Sequence, residues 1–458
     1  MKRFITILFT TLLLTAALCV TASASDFDAV AEELSTIDMF RGTGTSFELD
    51  RAPTRGEAAI MLVRLYGAEE EAKAAYEAGE LTHPFTDVGP IASPSVAWLY
   101  EKGITKGTTE TTFGSSQKCN VYMYNVFLLR ALGYQDPADF TYDGSLAFAE
   151  EKGFYWAMMF PGEFLRDDLA ALTYQALAAD MKDGSTFLLQ SLVDSGAVDA
   201  EAAAPMLEKM KAFRAMTAAT ATMEQDAMDV SIDCDMNITM TAEGETITIP
   251  TTLEGRMQML AADPANIQMA AETTTSLEGE EMGISMWMKD GWMYMATDYA
   301  GETVKVKYPV DETMDLSELG LVDVSAMDVR GLAMLESVTA KKSGSNTIYT
   351  VTFREGMGGL VDAIAEMLEA EALYADMKIG TVSASYTISN SGALKSCDMV
   401  FSASMAMTET LEDGTTFTMD MVYAYDMTMK VNATGSKVKI SWPDFSKFVE
   451  VDPAELAI

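Results

Sequence analysis

The sequence is poor in histidine and in basic residues, and each shortage excludes a class of function. His83 is the one histidine, so neither a histidine-based metal cluster nor a pair of catalytic histidines can be formed. Only 31 lysines and arginines stand against 69 acidic residues, and a net charge of −38 repels phosphate backbones. We therefore expect no nucleic-acid partner, no metal, no other cofactor and no catalytic residues.

Cysteines and long apolar runs are also scarce. Four cysteines in 458 residues do not describe a disulfide scaffold. Cys234 and Cys397 lie in the C-terminal half, and either a bridge between them or two buried thiols fits their spacing. The one long apolar run, residues 4–20, follows Lys2-Arg3 and precedes the small residues Ala22-Ser23-Ala24, which predicts a secretory signal peptide over residues 1–24.

Self-similarity divides the first half of the chain into three predicted units, near residues 26–67, 85–134 and 140–198. Two interleaved patterns recur with constant spacing: Phe47, Arg64 and Gly67 match Phe113, Arg130 and Gly133, and Ala97-Trp98-x-x-Glu101-Lys102-Gly103 matches Ala147-Phe148-x-x-Glu151-Lys152-Gly153. Because apolar residues follow helical spacing and glycines stand where helices end, each unit is expected to be helix, loop, helix. Residues 25–200 are therefore predicted to form an all-α bundle of three repeats.

These units resemble the S-layer homology (SLH) domain. The resemblance rests on Phe85-Thr86-Asp87-Val88, on Gly103-Ile104-x-x-Gly107 and on Thr54-Arg55-Gly56-Glu57, where that family usually carries T-R-A-E. The corresponding positions of the later units are Asn120-Val121-Tyr122-Met123, which lacks the arginine, and Leu165-Arg166-Asp167-Asp168. The resemblance implies a three-pronged helical bundle that holds a secreted protein on the cell wall by binding secondary cell-wall polysaccharide, which is often pyruvylated.

Six residues are the candidate contacts with this polymer: Thr54, Arg55, Glu57, Arg166, Asp168 and Trp98. A planar guanidinium can bind a carboxylate through two parallel hydrogen bonds, and a helix N-terminus offers free N–H groups to the same anion. Trp98 would present an apolar face to a sugar ring. The alternatives are structural: Arg55 in an ion pair within the bundle, Trp98 in its core, and Thr54 with Glu57 as a capping box.

In the second half of the chain the apolar period changes. Residues 201–227 are expected to form a linker and an amphipathic helix. From residue 228 apolar residues alternate, most clearly along 417–431, and turn signals such as Asp290-Gly291 punctuate the region, which predicts long antiparallel hairpins. Helical patterns at Leu316–Leu335 and Leu360–Asp376 are expected to pack on this sheet, so residues 228–458 are predicted to form an α+β domain.

This arrangement resembles the LolA-type lipoprotein-carrier half-barrels, in which helices cover the concave face of a long curved antiparallel sheet. The resemblance is one of pattern and implies binding of a lipid, a lipoprotein or another apolar envelope ligand. A sheet face lined by methionine can repack around irregular apolar ligands because that side chain is unbranched and polarizable. The candidate lining residues are Met286, Met288, Met419, Met421, Tyr423 and Met427, with an ordinary apolar core as the alternative.

The sequence therefore predicts a multidomain, non-enzymatic protein that is secreted and held in the cell wall or S-layer at the cell surface. Its SLH repeats would bind anionic, peptidoglycan-linked polysaccharide and its half-barrel would be displayed outside. A purely structural surface-layer protein without a C-terminal ligand is the main alternative. A hydrolase with an unrecognised site is the third hypothesis.

Overall fold

The computed structural model describes residues 27–42, 44, 46–160, 162–220, 227–242, 245–260, 267–277, 280–310, 329–354, 378–410 and 416–451. Two compact units make up the chain: a helical unit over residues 22–214 with 327–335, and a sheet unit over residues 215–326 with 336–458. The helical unit thus continues past residue 200, where the sequence predicts its end. Helices in the N-terminal part and a long sheet in the C-terminal part agree with the predicted fold class. That three related repeats build the helical unit stays a prediction.

Short helices with local capping signals form the first part of the chain. They are α1 Asp28–Thr36, α2 Arg55–Leu65, α3 Glu69–Glu77, α4 Ser93–Glu101, α5 Val121–Ala131, α6 Ser145–Glu151, α7 Arg166–Leu177, α8 Leu188–Asp194 and α9 Ala200–Thr220, with a 3₁₀ turn at Ala157–Met159. Gly103 and Gly153 follow α4 and α6 with φ of 69° and 81°, a left-handed conformation that glycine adopts without steric cost. Both glycines therefore stand just past a helix end, as the sequence predicts.

A segment from late in the chain belongs to the helical unit, which the sequence does not predict. Residues Val329–Met334 form a 3₁₀ helix in contact with α7, and Leu332 and Ala333 are fully buried. The buried Lys209 ammonium donates to the Leu335 carbonyl at 2.6 Å. The prediction that residues 316–335 form a helix on the sheet is therefore wrong for their described part, because burial against α7 holds it elsewhere. Residues 316–328 and the predicted helix at 360–376 lie outside the described residues.

One sheet accounts for all the described strands. They are β1 Ala227–Ala242, β2 Glu245–Leu260, β3 Gln268–Leu277, β4 Glu280–Lys289, β5 Trp292–Tyr299, β6 Glu302–Pro309, β7 Leu335–Ser343, β8 Asn346–Phe353, β9 Lys378–Ser389, β10 Leu394–Thr410, β11 Thr416–Thr434 and β12 Val449–Glu450. The order across the sheet is β12-β6-β5-β4-β3-β2-β1-β11-β10-β9-β8-β7. The short β12 pairs with β6 in parallel, whereas hairpin neighbours such as β4 and β5 are antiparallel.

The strands that the sequence predicts most clearly are confirmed. The alternating run at 417–431 lies within β11, and Asp290 and Gly291 form the turn between β4 and β5 with positive φ at both positions. The sheet order also shows that Cys234 and Cys397 are not bridged. Strand β11 lies between β1, which carries Cys234, and β10, which carries Cys397. Cys234 pairs with Met427 and Cys397 with Met429, so the two thiols do not form a disulfide with each other.

Candidate functional site

The N-terminus of α2 is built from the Thr54–Glu57 motif. Thr54 adopts an extended conformation before the helix, and its hydroxyl accepts from the Glu57 N–H at 3.2 Å. The Glu57 carboxylate in turn accepts from the Thr54 N–H at 2.8 Å, which completes the capping box. The predicted structural role of Thr54 and Glu57 is thus confirmed.

A loop that begins at Phe113 closes over this helix N-terminus. The Arg55 N–H donates to Gln117 O at 2.8 Å, and the Gly56 N–H donates to Ser115 O at 2.9 Å. A Cβ on Gly56 would lie 2.5 Å from Ser115 Oγ, so the loop leaves no room for a side chain there. The expectation that free N–H groups of this helix bind an anion is therefore wrong, because the loop carbonyls already accept from them.

The Arg55 side chain lies half-buried against the same loop. Its Nε donates to Phe113 O at 3.2 Å, and its guanidinium carbon lies 5.1 Å from the centre of the Phe113 ring. Its Nη1 contacts Met123 Sδ at 3.5 Å. Within the described residues, Arg55 forms no ion pair with a carboxylate.

The N-terminus of α7 repeats this arrangement. The Arg166 N–H donates to Arg51 O at 2.9 Å, the Asp167 N–H donates to Leu49 O at 3.1 Å, and Arg166 Nε donates to Phe47 O at 2.9 Å. These acceptors follow Phe47 at the same spacing as Ser115 and Gln117 follow Phe113. The loop of the first predicted unit therefore closes the α7 N-terminus as the loop of the second closes α2.

The two arginines differ in what stands opposite the guanidinium. Arg166 Nη1 pairs with Glu57 Oε1 at 3.1 Å, whereas Arg55 Nη1 contacts a thioether. Glu57 and Met123 hold the same position in their units, three residues after the N-cap of α2 and of α5. The second unit has methionine where the first has glutamate, and this single difference deprives Arg55 of the carboxylate that Arg166 has.

The Arg166 pair is internal to the protein. Arg166 is 4% exposed, and burial lowers the pKa of its guanidinium. Burial alone would raise the pKa of Glu57, but hydrogen bonds from Arg51 and the Thr54 N–H, together with the Arg166 charge, bring it down to about 2. Arg166 therefore presents little of its charge to an external ligand.

Asp168 in α7 holds the position that Glu57 holds in α2, but its carboxyl has a raised pKa. Asp168 accepts from the Leu165 N–H at 2.7 Å and is buried, and burial raises the pKa of its carboxyl to about 7. The neighbouring Asp167 raises it further, whereas the Leu165 N–H opposes the shift. The α5 N-terminus carries Val121 at the position that Arg55 holds in α2, so the second unit lacks both the arginine and the acid of the motif.

Trp98 is placed in the interior. It is 7% exposed, its Nε1 donates to Glu71 Oε1 at 3.2 Å, and Lys102 lies over its ring at 5.3 Å. Exposed aromatic residues of the helical unit include Tyr100, Tyr122 and Tyr142, and no sequence motif points to the last two. Burial of Trp98 gives it the structural role that was the alternative reading, and it offers little surface to a sugar.

In the sheet unit, the register brings the predicted apolar residues to one face. Paired residues of antiparallel strands share a face, and successive residues alternate. Every methionine on the strands whose side chain the structure describes lies on this face: Met228, Met236, Met240, Met257, Met259, Met269, Met282, Met286, Met288, Met293, Met295, Met399, Met419, Met421, Met427 and Met429. Tyr423 lies among them, so all six predicted lining residues share what we call the methionine face.

The methionine face is buried to different degrees along the sheet. Met269, Met288 and Met293 form a buried cluster against which Met286 packs. Met427 is only half-buried.

The described residues contain no group of three His, Cys, Asp or Glu side chains that could hold a metal ion.

Comparison with known proteins bears on the helical unit. Residues 84–119 match the S-layer homology domain. The chain contains an SLH domain. The matched stretch includes Asp87, whose carboxylate accepts from the Phe113 and Gly114 N–H groups at 2.8 and 2.7 Å and so holds the loop that receives Arg55. An SLH domain implies association with the cell surface or S-layer, and none of the described helices has the length and apolar character needed to cross a membrane.

No curated protein sequence matches the chain. Among solved structures, LprF from Mycobacterium bovis aligns at 11% identity, covering 52% of this chain and 98% of its own, with a TM-score of 0.27. A DUF1329 family protein from Desulfovibrio piger aligns at 10% identity, covering 50% of this chain and 96% of its own, with a TM-score of 0.17. At these TM-scores neither structure carries an argument about function.

Proposed function

We propose that this protein is a non-enzymatic surface protein whose SLH region binds an anionic secondary cell-wall polysaccharide through Arg55. The observation that carries the proposal is the Arg55 guanidinium, which contacts Met123 where the equivalent Arg166 has Glu57. The cation is held in position by Phe113 but is not neutralised by a carboxylate within the described residues.

The chemistry of this guanidinium suits a carboxylated sugar. Arg55 Nη2 has no hydrogen-bond partner among the described residues, and a thioether is a weak acceptor for Nη1. A carboxylate approaching this edge could accept from both nitrogens in the bidentate geometry that arginine favours. The overall charge of −38 opposes capture of an anion at long range, but screening over a Debye length of about 8 Å confines that penalty.

Substitution of Arg55 tests the proposal in the full-length protein. We expect Arg55→Met to weaken cosedimentation with cell walls isolated from the source organism by about tenfold to a hundredfold, since hydrogen bonds to charged groups contribute about 1.5–3 kcal/mol. The matched control is Arg130→Met, because Arg130 also donates to a backbone carbonyl, Ile104 O at 3.0 Å, but is paired with Asp136. Equal retention of both folded variants would contradict the role of Arg55.

We further propose that the methionine face of the sheet unit takes an apolar envelope ligand such as a lipid or the acyl chain of a lipoprotein. The observation that favours this is the restriction of the described strand methionines to one face, part of which is only half-buried. A purely structural sheet needs no such restriction to the most adaptable apolar side chain.

A fluorescent fatty acid is the probe for this face. We expect Met399→Glu with Met427→Glu, at paired positions of β10 and β11, to abolish its binding. The control is Val400→Glu with Val422→Glu, which places the same charges on the opposite face, where both valines are exposed. Absence of probe binding by the unaltered protein, together with a protein free of lipid when purified from its source, would favour the purely structural alternative.

A further inference from the structure

Two exposed tyrosines lie at the N-terminus of α5, beside the residue that contacts Arg55. Tyr122 is 38% exposed and Tyr142 is 42% exposed, and their rings stack with centroids 5.9 Å apart and planes inclined by 28°. Tyr122 directly precedes Met123 in the chain, so Tyr122 and the residue that contacts the Arg55 guanidinium both lie in the first turn of α5. Tyrosine, which has an apolar ring and a polar hydroxyl, is enriched at interfaces.

Among the described residues, no loop carbonyl accepts from the N–H groups of Val121 and Tyr122, whereas loop carbonyls accept from the corresponding groups at α2 and α7, and the tyrosine pair is exposed. Tyr122 holds the position of Gly56 in α2 and of Asp167 in α7, and both of those residues are buried beneath their loops. In the third predicted unit the loop approaches α5 through an exposed ion pair between Glu163 and Lys118. The motif position that is covered at α2 and α7 is thus open at α5.

The surroundings of the pair select a neutral ligand over an anion. Val121 replaces the motif arginine at the start of α5, Lys118 is already paired with Glu163, and the Arg55 guanidinium contacts Met123. The Tyr142 hydroxyl donates to Asn120 Oδ1 at 3.4 Å, which restrains its ring. Tyrosine gives a large contact area with a polar edge at a low cost in conformational entropy, and such a surface suits a pyranose ring, whose faces are apolar and whose rim carries hydroxyls.

We infer that Tyr122 and Tyr142 form a stacking platform for a neutral sugar residue of the same polysaccharide whose acidic group binds Arg55. This inference rests on the proposed function and extends it from one charged contact to two different subsites. The α7 junction, where Glu57 neutralises Arg166, contributes neither. The two subsites differ in physical character: binding at Arg55 weakens with salt, whereas stacking on the tyrosines does not.

The test compares variants of the full-length protein on isolated cell walls at low and high salt. Tyr122→Ala with Tyr142→Ala should weaken binding about tenfold at both salt concentrations, as expected for the loss of a stacking contact. Tyr122→Phe with Tyr142→Phe keeps the rings and should bind within about twofold of the unaltered protein. Arg55→Met should remove the salt-sensitive part of the binding only.

A second probe separates the two subsites directly. Wall polysaccharide whose carboxyl groups have been chemically reduced to alcohols carries sugar rings without the acid. We expect the unaltered protein and Arg55→Met to bind this probe equally, and the double alanine variant not to bind it. Loss of wall binding by Arg55→Met with no effect of the alanine pair on either probe would overturn the platform while leaving the proposed function intact. Loss of wall binding with the alanine pair, but not with Arg55→Met, would overturn the proposed role of Arg55 and leave the tyrosine platform intact.

Discussion

Restoring the missing acid in the second unit should close the Arg55 site. In the structure Arg55 Nη1 lies 3.5 Å from Met123 Sδ, and at the equivalent junction Arg166 Nη1 lies 3.1 Å from Glu57 Oε1. Because methionine and glutamate side chains are of similar length, Met123→Glu is expected to place a carboxylate against the Arg55 guanidinium. An internal ion pair would then compete with any external acid for the same nitrogens.

The size of the effect follows from that exchange. A hydrogen bond to a charged group contributes about 1.5–3 kcal/mol, and each 1.4 kcal/mol changes an equilibrium constant tenfold. Met123→Glu should therefore weaken binding to isolated cell walls by about tenfold to a hundredfold. Met123→Gln, which has the same shape without the charge, should bind nearly as tightly as the unaltered protein.

Stability measurements make this prediction decisive. Loss of binding through misfolding would lower the midpoint of urea unfolding, whereas a new ion pair should leave Met123→Glu at least as stable as Met123→Gln. The reasoning is refuted if both folded variants bind walls equally well. It is also refuted if Met123→Glu is much less stable than Met123→Gln, since the site would then not accept a carboxylate as the Glu57 position does.

Three further predictions concern stability. Glu57→Gln leaves the buried Arg166 guanidinium without its carboxylate and should lower the free energy of unfolding in urea by about 3 kcal/mol at pH 7. Because the pKa of Glu57 falls from 4.5 to about 2 in the folded protein, this difference should shrink as the pH drops from about 4.5 toward 2. A constant difference down to pH 2 would contradict the prediction. Asp168→Asn should stabilise the protein at pH 8 by up to about 4 kcal/mol and have little effect at pH 4. The reason is that ionising a carboxyl whose pKa is raised from 3.8 to about 7 destabilises the folded protein as the pH rises between those values. The same effect at both pH values would disprove the raised pKa of Asp168. Met293→Ala, at a fully buried position, should lower the free energy of unfolding by about 2–5 kcal/mol in the same assay. Met427→Ala, at a half-buried position, should lower it clearly less. Equal losses would show that the methionine face is uniformly covered.

The segment at residues 329–335 affects how the helical unit should be studied. Its apolar side chains pack on α7, and Lys209 in α9 binds the Leu335 carbonyl. A fragment that ends near residue 200 would lack both α9 and this segment and would expose the surface they cover. The full chain is therefore the appropriate material for wall-binding experiments.

The sequence by itself determined the elements that depend on neighbouring residues. The capping box of Thr54 and Glu57 spans four residues, the turn at Asp290-Gly291 needs only those two, and the alternation along β11 follows from the two-residue period of a strand. The SLH motifs are similarly local, and those of the second predicted unit lie within or near residues 84–119, which match the SLH domain. Each signal is contained in a few adjacent side chains, so no packing information is needed to read it.

The tertiary structure alone decided which of the motif residues are accessible. Arg55 and Arg166 occupy equivalent motif positions, yet one faces Met123 and the other faces Glu57, which is 109 residues away in sequence. The burial of Trp98 beside Glu71 likewise depends on how α3 and α4 pack. Such long-range contacts are set by the summed packing of whole helices, because a buried charge is tolerated only where its partner arrives from elsewhere in the fold.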